Sequence, residues 1–214
     1  MKRLIVKSKP QRRNDVDGST GRRRLEPEAR REAIIQAAIG YFAEVGFGGT
    51  TRDLAARAGV TQALIYQYFA SKAELRETVY ERIYLGRISP QWLDELRQRD
   101  LPIGARLTRF YGQYTTAIFT YEWMRIFMWA GLAGDALNRR YLEHVGASLL
   151  APIREEIILE SKGAWVPEME DLWNLHGGIV HLGIRRFIYR LPTPEDAGPA
   201  TAAAVARFLS PLNG

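Results

Sequence analysis

The sequence predicts an all-α protein, and three observations predict it. Apolar residues recur at three- and four-residue spacings from Pro27 onward. Capping residues, glycines and prolines punctuate those runs where helices would start and stop. No stretch alternates apolar and polar residues as a half-buried strand would. About nine helices follow, divided between a short N-terminal group and a larger helical body.

Taken in order, Pro27 suits a first helical position, and Ile34, Ala38 and Phe42, with Tyr41 and Val45, make the apolar stripe of the first helix. Thr50 is an N-cap, with Asp53 placed to reach back to it. An Ala-rich helix then runs to Ala58, and Gly59 is the residue expected where a helix ends through positive φ. Val60 plugs the turn, and Thr61 caps a second helix to about Tyr68. Ile65 and Phe69 pair at i, i+4 and can face Leu54, Ala55 and Ala58. The opposite side presents Gln62, Ala63, Tyr66 and Gln67. Two short helices joined by a glycine turn, the second with a polar outer face, form the motif that enters the major groove of DNA.

Ser71 with Glu74 opens the next helix, which runs to about Gly86 and links the two parts. Ser89-Pro90 begins a short helix and Pro102 a longer one reaching about Tyr121. Residues 122–133 and 135–160 read as helical with a break at Gly134, and residues 161–166 as a loop. Pro167 and Pro194 are expected to start the last two helices, the second capped by Thr193 with Asp196 at its third position. The divisions expected are a basic arm without fold over 1–25, the DNA-binding domain over 26–75, and the helical body over 76–214.

Composition narrows the function classes. The chain has no cysteine, which excludes disulfides and thiolate metal sites and points to a reducing cytoplasm. No apolar run approaches the roughly 20 residues that span a bilayer, and the charged N-terminus lacks the apolar segment of a secretory signal. The net charge of +6 is uneven: residues 1–25 carry nine basic and two acidic side chains, the remainder 21 basic and 22 acidic. The arm, with Arg22, Arg23 and Arg24 nearest the folded part, is read either as a DNA contact or as a solvated tail.

The stretch from 28 to 78 resembles the TetR family of bacterial transcriptional regulators. The matching pieces are Ile35-x-x-Ala38-x-x-x-Phe42, Gly46-Phe47, Thr50, Leu54-Ala55, Ala58-Gly59-Val60-Thr61, Tyr66-x-Tyr68-Phe69 and Ser71-Lys72-x-x-Leu75. Leu64, Gln62 and Ala70 depart from the commonest pattern, the first two at positions that bear on the operator. By this resemblance Tyr66, Tyr68 and Lys72 hold phosphates, with Arg52, Thr50 and Thr61 near the same backbone; core packing is the other reading of Tyr68. Gln62 and Gln67 have amides suited to adenine edges, and Ala63 can meet a thymine methyl.

Residues 110–129 hold eight of the chain's 23 aromatic residues. They are read either as packed core or as the wall of an apolar ligand cavity with a few polar groups. Tyr114, Tyr121, Trp123 and Phe127, with Trp173 and His176, are the candidate lining, and Arg125 a candidate charge. The resemblance implies an effector pocket in the body and a homodimer built through the last two helices, whose small residues include Gly177, Gly178 and Gly183. It thereby implies a repressor released from a palindromic operator by a largely apolar small molecule. An effector-independent DNA-binding or architectural protein is the alternative. No catalytic constellation, metal-ligand spacing or cofactor motif is present: His176 and His181, five apart, point to different faces of one helix, and Glu155-Glu156 reads as a solvated face.

Overall fold

The computed structural model describes residues 26–212. Among these the secondary structure is helical, in the order α1 (Pro27–Val45), α2 (Thr51–Ala58), α3 (Gln62–Tyr68), α4 (Lys72–Tyr80), α5 (Gln91–Arg97), α6 (Ile103–Ile118), α7 (Tyr121–Leu132), α8 (Ala136–Val145), α9 (Ala151–Glu160), α10 (Met169–Phe187) and α11 (Gly198–Phe208). None of the described helices is long and apolar enough to cross a membrane. Two five-residue segments, Glu81–Leu85 after α4 and Gly146–Leu150 between α8 and α9, continue their helices in the wider i→i+5 pattern, closed by Gly86 N–H to Glu81 O and Ala151 N–H to Gly146 O. Such turns are rare and concentrate at functional sites.

The core is continuous from the reading head into the body. Ile34, Ile35, Ala38 and Phe42 of α1 are buried together with Leu54, Ile65, Phe69, Leu75 and Val79, and the same cluster extends through Tyr84, Leu107, Tyr114 and Ile126. Helix α7 joins the two parts most directly. Arg125 donates from Nε to the carbonyl of Ala43 at 2.6 Å and from Nη2 to that of Glu44, so its guanidinium caps the carbonyl end of α1. A cation there also meets the negative end of the helix dipole. One turn further, Trp129 packs on Gly46. Arg76 of α4 pairs with Asp135, and Arg140 of α8 with Glu77 at 2.7 Å. Arg125 therefore serves the junction of head and body, not the interior charge the sequence suggested for it.

Two other expectations are corrected. Helix α11 starts at Gly198, four residues after Pro194, because the proposed cap is engaged elsewhere. Thr193 Oγ1 accepts from Arg186 Nε at 3.0 Å, the same guanidinium holds the carbonyls of Pro194 and Glu195, and Asp196 Oδ1 accepts from Gly198 N–H. Pro199 then supplies the proline in the first turn. Glu156 is not on a solvated face. It is 4% exposed and receives Arg99 at 2.8 Å and the buried Arg106 at 2.9 Å. Arg106 also donates to the carbonyls of Leu96 and Leu101 and to Glu160, so each of its three guanidinium nitrogens has a partner. The hydrogen bonds from Arg99 and Arg106 hold the Glu156 carboxyl below its ordinary pKa against the opposing effect of burial.

Candidate nucleic-acid interface

The reading head is fixed by three caps. Thr50 Oγ1 accepts from Asp53 N–H at 3.1 Å and donates its own proton to Asp53 Oδ2 at 2.7 Å. Asp53 thus closes the box on the hydroxyl, whereas the usual Glu closes it on the backbone N–H. Helix α2 ends at Gly59 in the left-handed region, φ 63° and ψ 33°, where Gly59 and Val60 N–H return to the carbonyls of Ala56 and Ala55. A side chain at that φ would be strained. Thr61 Oγ1 then accepts from Leu64 N–H at 3.1 Å and starts α3. At the far end, Ser71 Oγ accepts from Glu74 N–H, while the Glu74 carboxylate takes the N–H of Ala70, one residue earlier than a regular box would.

These caps set the rotation of α3. Ile65 and Phe69 are each 1% exposed against Leu54 and Ala55, which leaves Gln62, Ala63, Tyr66 and Gln67 facing outward. Leu64 and Tyr68 are half-buried on the flanks, and Tyr68 packs against the core while keeping part of its surface free. Tyr66 places its hydroxyl 3.4 Å from Thr51 Oγ1. Its hydrogen bonds with Thr51 and Gln62, followed by the nearby Lys72 charge, lower its phenol pKa. Arg52, Thr50 and Thr61 are exposed, and Lys72, half-buried at the start of α4, has its ammonium pKa lowered by burial and by Arg76. One outward surface thus combines amide, methyl, phenol and cationic groups, the set that base edges and phosphates require. The expected contacts Arg22, Arg23 and Arg24 lie outside the described residues.

In the body, the predicted lining residues divide. Tyr114, Trp173 and His176 share one cluster of ring contacts with Tyr111, Trp123 and Phe127 share another with Tyr84 and Tyr141, and the Tyr114–Tyr141 hydroxyl pair joins the two into one network. Tyr121 stands apart at the surface, 37% exposed beneath the Arg125 guanidinium. Tyr114 Oη lies 2.8 Å from Tyr141 Oη and 3.3 Å from His176 Nε2, and burial pushes the His176 pKa down to about 4. Four polar atoms of this network are buried without a hydrogen-bond partner: Tyr84 Oη, Tyr111 Oη, Trp123 Nε1 and His176 Nδ1. Each such group costs about 1–3 kcal/mol when unsatisfied. Four cavities of about 140 to 520 Å³ are lined by residues outside this network.

Sequence reading missed Tyr84 and Tyr141 as members. Tyr80 and Tyr84 at i, i+4, and Leu137, Tyr141 and Val145 at the same spacing, are the signals that place them inward.

The comparisons agree with this geometry. Residues 34–79 match the family model for bacterial regulatory proteins of the tetR family. The HTH-type transcriptional dual regulator CecR of Shigella flexneri is 41% identical over 51 residues, a match spanning 24% of this chain and 23% of that protein. Among solved structures, SmeT, the repressor of the Stenotrophomonas maltophilia multidrug efflux pump SmeDEF, superposes with a TM-score of 0.62 at 17% identity, covering 85% of this chain and 89% of its own. A TetR-family regulator from Streptomyces coelicolor gives 0.59 at 19% identity over 87% and 81%. Residues 34–79 are therefore a helix-turn-helix domain of the TetR family of bacterial regulatory proteins, carried on a helical body whose fold its solved members share.

Proposed function

We propose that this protein is a homodimeric transcriptional regulator of the repressor type, whose α3 reads a palindromic operator and whose body releases it on binding a small molecule. The observation that carries the reading is the outward face of α3, where Gln62, Ala63, Tyr66 and Gln67 are exposed on a helix fixed by buried Ile65 and Phe69. The CecR and SmeT likenesses support regulation and repression respectively. The seating of α7 on α1 supports communication: a ligand that bound better to a form with α7 displaced would move the head by way of Arg125 and Trp129. The shift can be no larger than the difference in affinity between the two forms.

The test compares Gln62→Ala with Lys72→Ala on DNA selected by the wild-type protein. Gln62→Ala should relax the preference at one base pair, by about 1–3 kcal/mol of discrimination. Lys72→Ala should weaken all sequences alike and reduce the salt slope by about 1. Loss of affinity in both without any change in preference would reject this assignment of α3.

A further inference from the structure

The four cavities of the body differ in chemistry. The largest includes Gly178 and Ala204, on the face of α10 and α11 expected to meet a second subunit. Another carries the carboxylates of Glu195 and Asp196, and in a third Glu160 is already taken by Ile103 N–H and Arg106. The smallest, about 140 Å³, is lined by Arg125, Met128, Trp129 and Leu132 of α7 and by Ile188 just beyond α10. It alone of the four sets one cation among apolar walls with no acid beside it. Resting on the reading that the body senses a small molecule, we propose that this cleft is where it is sensed. The ligand would be a compact aryl carboxylate, its ring against Trp129 and its carboxylate on Arg125.

The sequence builds this cleft as a stripe. Arg125, Met128, Trp129 and Leu132 stand at i, i+3, i+4 and i+7 on one face of α7, while Trp123, Met124, Ile126 and Ala130 fill the interior. The outer face of a helix that covers a core is ordinarily polar. Here Trp129 is 40% exposed and Leu132 81%. Gly46 supports the indole from α1, where an added Cβ would sit 3.1 Å from the ring. A cavity of about 150 Å³ takes up one benzene, so the guest that fits is a single ring. Trp129 offers that ring an aromatic partner, and Met128 a polarizable thioether.

Charge selects the polar end. Among the described residues no carboxylate lies within ion-pair distance of Arg125. Its Nε is held by the Ala43 carbonyl at 2.6 Å, Nη2 reaches that of Glu44 only at 3.4 Å, and Nη1 has no hydrogen-bond partner among the described residues. A carboxylate can take the Nη1–Nη2 edge with two parallel bonds while Nε keeps its place on α1. An ammonium would meet a like charge there. The same contact leads to the reading head. Glu44, whose carbonyl Nη2 approaches, holds Arg57 of α2 through both of its carboxylate oxygens. A ligand that draws Nη2 away from that carbonyl therefore acts on the end of α1 where α2 is seated.

The experiment titrates the full-length protein, without DNA, with four probes by calorimetry: phenylacetate, phenylacetamide, 2-phenylethylammonium and acetate. Phenylacetate should bind about tenfold more tightly than each of the others, as a charge-assisted hydrogen bond together with the ring contact provides. Arg125→Gln should bring phenylacetate to the affinity of the amide. Should that variant fail to fold, Leu132→Glu sets a carboxylate in the cleft at a position that is 81% exposed. It should weaken phenylacetate and strengthen 2-phenylethylammonium. Equal binding of acid and amide, no binding of phenylacetate, or phenylacetate binding that Leu132→Glu leaves unchanged would overturn the proposal. So would failure to bind in a protein whose dimer Leu132→Glu dissociates, which would give the cleft to a second copy of the chain. Phenylacetate that binds as expected without changing operator affinity would uphold the site and count against release by an effector. Operator release by phenylacetate that persists undiminished in Leu132→Glu would uphold release and reject the site.

Discussion

His176 shows how one residue's surroundings become a measurable property. Its imidazole is buried among Tyr111, Tyr114 and Trp173, and burial lowers its pKa from 6.5 to about 4. Between those values the unfolded chain binds a proton that the folded chain does not, so stability falls as pH falls from 6.5 toward 4. The expected loss is about 3 kcal/mol across that window, at roughly 1.4 kcal/mol per unit of pKa. Urea unfolding at pH 7 and pH 4 should show it, and His176→Gln should lose less stability over the same interval. An identical loss in both proteins would mean that the imidazole is not buried as a neutral group. The acid losses from Glu32 and Glu156, whose pKa values their arginine and glutamine partners depress, are common to both and cancel.

Elements were legible in the sequence where one signal governed them, and obscure where a tertiary partner did. Helices α2 and α3 follow from Thr50, Gly59 and Thr61, because caps and left-handed turns are local devices. The start of α11 was not legible from Thr193 and Pro194, since Arg186 reaches across from α10 and holds that segment open. Glu156 reads as a surface charge until the fold brings Arg106 to it from another helix. Small residues on α10 divide the same way. Gly183 is required within the subunit, where an added Cβ would sit 2.8 Å from the Phe119 ring, whereas Gly178 has open space around it. That open face suits a partner subunit, so Gly178→Trp should give monomers with poor operator affinity. Sedimentation showing an unaltered dimer would exclude this surface.

For the whole molecule, charge and symmetry are the testable quantities. Residues 1–25 carry nine basic side chains, while the rest of the sequence has slightly more acid than base. Long-range attraction to DNA should then come largely from that segment, with about −0.9 added to the slope of log affinity against log salt for each phosphate neutralised. Deleting residues 1–21 should flatten the slope by about several units and leave the preferred bases unchanged, Arg22 to Arg24 keeping most of the effect at specific sites. An unchanged slope would assign residues 1–21 no role in binding. A two-fold dimer must also present its two α3 helices to DNA about 34–36 Å apart, or a multiple of that. The most direct measurement is therefore selection of binding sites from randomised duplexes with the full-length protein, followed by the stoichiometry on the selected site. Inverted half-sites at that spacing, bound by two protomers or a multiple of two, are the expected result. A single half-site bound by one protomer, or no shared sequence among the selected duplexes, would contradict it.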